Sequence, residues 1–216
     1  MKKIYTEERK KRMARSIKNI IFDMGNVLLT YDPEVCLNHF LDKEDDRAII
    51  RRELFEGPEW EQGDLGYLTD LERFYKVRGR VPDRLHDALR SCAVHWTMCM
   101  RPVPGMRELC DREKKEGRRL YVLSNASSSF YDYFPRFAAF SYFDGIVVSC
   151  DIHMIKPGAG IYKYLLEKYQ LLPEECFFLD DREENVEAAR KAGLEAAVFT
   201  GDIAAVKRCI SGEDLS

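Results

Sequence analysis

The chain has 216 residues, enough for one substantial core or for a core carrying a small inserted subdomain. With 45% hydrophobic and 33% charged residues and a formal net charge of −3, it has neither the basic footprint of a nucleic-acid binder nor the composition of a disordered chain, so nucleic acid is not an expected partner. No window approaches the roughly 18 apolar residues a membrane span needs, and charges stand at the N-terminus where a secretory signal requires an apolar run; no membrane association and a cytoplasmic location are expected.

Residues 1–16 form a basic N-terminal extension, in which Lys2, Lys3, Arg9, Lys10, Lys11, Arg12 and Arg15 face only Glu7 and Glu8. A solvated helical arm is the expected form. The first strong signal follows at once. Asn19-Ile20-Ile21-Phe22 is a buried-strand pattern running into Asp23, Gly25 and Asn26, a placement that delivers a carboxylate to the C-terminal edge of a parallel sheet.

From Asp32 to Met100 no strongly β-like run occurs. Amphipathic patterns at Val35–Leu41, Ala48–Phe55, Leu68–Val77 and Leu85–Trp96, separated by Gly57-Pro58, Gly63, Gly66, Gly79 and Pro82, predict an all-helical insertion of about four helices over residues 32–100. The stretch Trp60 to Asp64 reads as a turn between helices, whose polar groups either face a substrate or lie exposed.

After Arg101, helical and strand patterns alternate. Helices are expected at Pro104–Glu116, Phe130–Phe140, Ile161–Tyr169, Asn185–Ala192 and Ile203–Ile210, and strands at Arg119–Leu123, Gly145–Ser149, Cys176–Leu179 and Ala196–Phe199. Such alternation implies a doubly wound, Rossmann-like α/β parallel sheet, built from residues 17–31 and 101–216, with the helical segment inserted as a cap.

Four of these strands end in polar residues: Asp23, Ser124-Asn125, Ser149 to Asp151, and Asp180-Asp181. Parallel strands present their C-terminal ends on one edge, so the groups converge there. Ser124, Asn125 and the following Ser127 to Ser129 suit an anion; Lys156, next to Pro157, is a cation able to neutralise phosphate oxygens; Asp23, Asp180 and Asp181 are hard oxygen donors suited to Mg²⁺. The seven cysteines are scattered without a Cys-x-x-Cys pair and read as reduced, mostly buried thiols, with a Cys150–His153 nucleophile pair as the functional alternative.

Four segments in this order, Ile21-Phe22-Asp23-Met24-Gly25-Asn26-Val27, Leu123-Ser124-Asn125, Lys156-Pro157, and Phe178-Leu179-Asp180-Asp181 with Asn185, resemble the motifs of the haloacid dehalogenase superfamily over roughly Ile17 to Val206. The Asp-x-Gly-Asn-Val form looks most like the bacterial α-glucose-1-phosphatase-like members with a small helical cap. The resemblance implies a phosphoric monoester hydrolase acting on a small phosphorylated metabolite. In that reading Asp23 is the nucleophile that becomes an aspartyl phosphate, and Ser124, Asn125 and Lys156 bind the transferring group. Mg²⁺ is held by Asp23, the Gly25 carbonyl and the Asp180-Asp181 pair.

One departure stands out. Most phosphatases of the family carry a second Asp two residues after the nucleophile, to protonate the leaving oxygen and then activate water; this chain has Gly25 there. A side-chain acid/base contributes typically ~10²–10⁴ in rate. Its absence points to sugar 1-phosphates or comparably activated esters, whose leaving groups need a proton less. The alternatives are a dehalogenase-type hydrolase, whose chemistry needs no Mg²⁺, and a catalytically weak phosphometabolite-binding protein. The sequence carries no signal of oligomeric state.

Overall fold

The computed structural model describes residues 17–211; the basic extension expected at residues 1–16 lies outside them, as do residues 212–216. Five parallel strands form one sheet in the order β3-β2-β1-β4-β5, with β1 at Asn19–Phe22, β2 at Arg119–Ser124, β3 at Gly145–Val148, β4 at Cys176–Asp180 and β5 at Glu195–Val198. Each of the five strands expected from the sequence is present.

The strands are apolar on both faces because helices cover both faces. Alternate residues divide between two cores: Ile20, Phe22, Leu120, Val122, Phe177 and Leu179 point into one, Ile21, Tyr121, Leu123, Val147 and Phe178 into the other. The chain runs outward from β1 to β3, then crosses back to β4 on the other side of β1. The reversal of strand order therefore lies between β1 and β4, the crevice where open α/β sheets bind ligands.

Between β1 and β2 the chain forms α1 (Pro33–Phe40), α2 (Glu44–Ile50) continued by a π-helical turn at Arg51–Phe55, α3 (Pro58–Asp64), α4 (Asp70–Val77) and α5 (His86–His95). The segment is helical as expected, but α3 occupies the stretch read as a turn. Pro58 sits at the first helical position, where its missing N–H costs nothing, and a seven-residue helix is too short to show a clear apolar period. Helix α4 is started by a reciprocal cap in which the Thr69 hydroxyl accepts from the Glu72 amide and the Glu72 carboxylate accepts from the Thr69 amide.

The remaining helices are α6 (Met106–Lys115), α7 (Phe130–Tyr133), α8 (Ser149–Ile152), α9 (Ala159–Lys168), α10 (Glu183–Lys191) and α11 (Ile203–Ser211). Two expectations need correction. The helix predicted over Phe130–Phe140 is broken into α7 and short 3₁₀ turns at Phe134–Arg136 and Phe140–Tyr142, because Pro135 has no amide to continue the ladder. β3 stops at Val148, and Ser149, expected as its last residue, begins α8.

The two lobes are tied together at the α3–α4 connection. The Ser149 hydroxyl donates to the Asp64 carbonyl at 2.5 Å, the His153 Nδ1 lies 2.7 Å from the Leu65 carbonyl, and the Tyr67 and His153 rings stack at 5.2 Å. Gly66, at φ +76°, passes so close to Cys150 that a Cβ there would stand 2.4 Å from its carbonyl oxygen. A second tie is Asp70, which accepts from Ser129 of the sheet lobe (2.5 Å), from the Trp96 indole (3.1 Å) and from Arg73 (3.0 Å).

Candidate active site

The strand ends meet around one cation. Lys156 is almost wholly buried, and its ammonium donates to Asp23 Oδ1 and Asp180 Oδ2, both at 2.6 Å. Burial alone would lower the Lys156 pKa; the two flanking carboxylates raise it, so the group stays charged. Burial pushes the Asp23 carboxyl up to about 7, against the pull of Lys156.

The surrounding hydrogen bonds hold this cluster in place. Asp180 Oδ1 accepts from the Arg182 amide and the Asn185 carboxamide, each at 2.9 Å, and Asp181 accepts from Asn26 at 3.0 Å. Asn26 sits at φ +56° and also accepts from the Tyr31 amide, which fixes the turn after β1. Asn125 clamps the main chain of Lys156 from both sides, accepting from its amide at 2.8 Å and donating to its carbonyl at 2.9 Å. Its side-chain amide is thus committed to positioning the lysine. Ser124, by contrast, keeps a buried hydroxyl without a partner at the end of β2, among the described residues.

The acids suit a divalent cation. Asp23, Asp180 and Asp181 each offer a carboxylate oxygen, and these lie within 4.8 Å of one another. Three hard oxygen donors beside a space for phosphate and water match the needs of Mg²⁺ better than those of a soft or tetrahedral metal.

A cavity of about 320 Å³ opens from this cluster. Its sheet side carries Asp23, Gly25, Asn125, Lys156, Asp181 and Arg182; Tyr31, Phe55, Trp60, Trp96 and Tyr133 supply aromatic walls, and Asp64 a further acid. The rings form a continuous set: Trp60 lies 5.1 Å from Phe55, 5.2 Å from Trp96 and 5.8 Å from Tyr31, and Trp96 lies 5.4 Å from Tyr133. No sequence spacing links these residues, which come from five separate stretches. Phe55, Trp60 and Trp96 belong to the helical segment, whereas Tyr31 follows β1 and Tyr133 ends α7.

Of the residues singled out from sequence, Asp23, Gly25, Asn125, Lys156 and Asp181 line the cavity, and Asp180 lies beneath it against Lys156. The fourth polar strand end does not join them: Ser149 is engaged with the α3–α4 connection, and Asp151 accepts from the Tyr131 hydroxyl. Cys150 and His153 do not pair. The thiol donates to Asp151, burial pushes its pKa up to about 12, and the imidazole is taken by the Leu65 carbonyl. No disulfide forms among the described residues, and five of the seven cysteines are buried.

Glycine at position 25 is not forced by the fold. Its φ is not positive, and a Cβ built there would meet only the Tyr31 Cβ, at 4.0 Å. A Cβ has room at this position, so no close backbone approach requires glycine there.

No helix among the described residues is long and apolar enough to cross a membrane. The chain is 28% identical over 193 residues to the sesquiterpene phosphatase astK of Aspergillus oryzae, spanning 89% of this chain and 94% of that one. It is 25% identical to the phosphorylated carbohydrates phosphatase of Thermotoga maritima, spanning 82% of each. A HAD family enzyme from Bacteroides thetaiotaomicron, solved as a magnesium complex, superposes with a TM-score of 0.68 at 25% identity over 89% of this chain and 99% of that one. The model of the haloacid dehalogenase-like hydrolases matches residues 17–193, and the chain belongs to that family.

Proposed function

We propose that this hydrolase is a Mg²⁺-dependent phosphatase of a small phosphorylated metabolite, acting in the cytoplasm through an aspartyl phosphate on Asp23. The observation that carries the reading is the Lys156 ammonium held between Asp23 and Asp180 at 2.6 Å each, with the Asp181 carboxylate beside them. This arrangement keeps a nucleophilic carboxylate, a phosphate-neutralising cation and a metal-binding acid pair on one edge. Dehalogenation at carbon has no use for the acid pair.

Asp23 attacks phosphorus along a line opened by the cavity, and Lys156 and the Ser124 hydroxyl receive the equatorial oxygens. Asp23, Asp181 and the Gly25 carbonyl, with Asp180, would hold Mg²⁺, which offsets the repulsion between an anionic nucleophile and an anionic phosphate. Residues 32–100 serve as the cap that closes over the alcohol part of the substrate.

For that alcohol, the missing acid at Gly25 argues for a sugar 1-phosphate, and the likeness to the carbohydrate phosphatase of Thermotoga maritima agrees with it. The aromatic walls favour a second reading, a phosphate ester of an apolar alcohol, in line with the likeness to the sesquiterpene phosphatase. Phosphate release should be measured on glycosyl, isoprenyl and simple alkyl phosphates, with Mg²⁺ and with EDTA. The expected result is turnover with Mg²⁺ alone, reduced by about 10⁴-fold or more in Asp23→Asn. Unchanged turnover in that variant would sink the aspartyl-phosphate reading.

A further inference from the structure

We propose that Asp64, at the last position of α3, supplies the acid and base that position 25 lacks, protonating the leaving oxygen and then activating water. The inference rests on the phosphatase reading above.

Four observations converge on it. Asp64 lines the same cavity as Asp23, from the helical segment rather than from the sheet. Its carboxylate forms no hydrogen bond or ion pair among the described residues, whereas every other acid lining the cavity is engaged. It stands outside the cluster of acids suited to a metal, so its protonation is left free for the reaction. Its main chain is anchored to the sheet lobe through the Ser149 hydroxyl, with the next carbonyl held by His153, so the side chain has a defined place relative to Asp23. Gly63 belongs to the same device: a Cβ there would stand 2.4 Å from the Arg73 guanidinium, which passes under α3.

The electrostatic surroundings suit both roles. Burial pushes the Asp64 carboxyl up to about 7. Arg73 and Lys156 pull it down, while Glu61 on its own helix and Asp70 on α4 push it up; Tyr31, Tyr133 and the Cys150 thiol are the other titratable groups within its field. A carboxyl near neutrality is available as acid and, once deprotonated, as base.

The proton balance closes over two steps. As an Asp23 oxygen bonds to phosphorus, the bond from phosphorus to the ester oxygen breaks and that oxygen takes the Asp64 proton, leaving as the alcohol. Water then gives a proton to the Asp64 carboxylate as its oxygen bonds to phosphorus, and the acyl-phosphate bond breaks to restore the Asp23 carboxylate. With a proton donor in place, an activated leaving group is no longer required, and the choice of alcohol falls to the aromatic walls.

Asp64→Asn, in the full chain with Mg²⁺, tests this against two substrates. On an alkyl phosphate, kcat should fall by about 10²- to 10⁴-fold. On p-nitrophenyl phosphate, whose phenolate leaves without a proton, a rapid burst of one nitrophenolate per enzyme should precede slow turnover, because the second step still lacks its base. In the wild type, the alkyl phosphate rate limited by protonation should fall as pH rises through about 7, and this limb should vanish in Asp64→Asn. Gly25→Asp placed on Asp64→Asn should recover part of the loss, a rescue that a merely structural defect would not show.

Full activity of Asp64→Asn on the alkyl phosphate, or equal loss on both substrates with no burst and no rescue, would overturn the proposal. The two levels separate cleanly. Turnover lost in Asp23→Asn but kept in Asp64→Asn removes only this inference, whereas a wild type without Mg²⁺-dependent turnover removes the phosphatase reading and this one with it.

Discussion

The two sides of the cavity are built on different physical terms. The sheet side is dense in charge: Lys156 lies between two carboxylates, one of which, Asp180, also accepts from the Arg182 amide and the Asn185 carboxamide, and burial strengthens every interaction. The helical side is a set of aromatic rings around a single unpartnered acid. In the proposed reading, the sheet side handles what all phosphate monoesters share, a doubly charged group that must be neutralised and held in line, and the helical side meets what differs among them, the alcohol. Placing the two on separate segments of chain allows the recognition surface to change without moving the reacting groups.

The largest expected effect comes from breaking the charge balance on the sheet side. Lys156→Ala leaves Asp23 and Asp180 facing each other without their cation and should destabilise the metal-free protein by about 3–5 kcal/mol, measured by urea denaturation. Mg²⁺ should recover part of this loss, because a cation bound only by the folded state stabilises it. Equal stability of the variant and the wild type without metal would show that the buried carboxylates do not depend on Lys156.

The junction of the two sides comes next. Arg73 is fully buried, lies 4.1 Å over the Trp60 ring, and has Asp70 as its one ion-pair partner among the described residues, while its Nε and Nη1 have no hydrogen-bond partner. Asp70→Ala should therefore cost about 3 kcal/mol, since it strands a buried charge, and Arg73→Met should cost less, since it removes the charge itself. The reverse order in thermal or urea denaturation would contradict this account of the junction.

The smallest effect probes recognition. Trp60→Leu removes the ring that touches Phe55, Trp96 and Tyr31 while leaving the charged side in place. KM for the preferred ester should rise by about tenfold, near ~1.4 kcal/mol, with kcat little changed. A fall in kcat at constant KM would mean that this wall acts on the transition state and not on the alcohol.

What was readable in the chain follows from how each signal is encoded. The five strands and their polar ends are local: an apolar run stopped by Asp23 or Asp180 is visible in a few residues, and parallel pairing brings such ends together without further information. Helix α3 is hidden because seven residues are too few for an apolar period to emerge, and the helical pattern over Phe130–Phe140 outweighs the interruption that Pro135 imposes. The aromatic walls were invisible, because Tyr31, Phe55, Trp60, Trp96 and Tyr133 share no spacing and meet only through packing.

By itself, then, the sequence determined the α/β alternation, the family motifs and the residues of the charged edge, because strand hydrophobicity and strand-end polarity are properties of contiguous residues. The gap at Gly25 was equally plain from sequence. Only the tertiary structure decided what lies across from that gap. The anchoring of the α3–α4 connection on Ser149 and His153 brings Asp64 to the cavity from nearly forty residues further along the chain, a contact between lobes that no local pattern encodes.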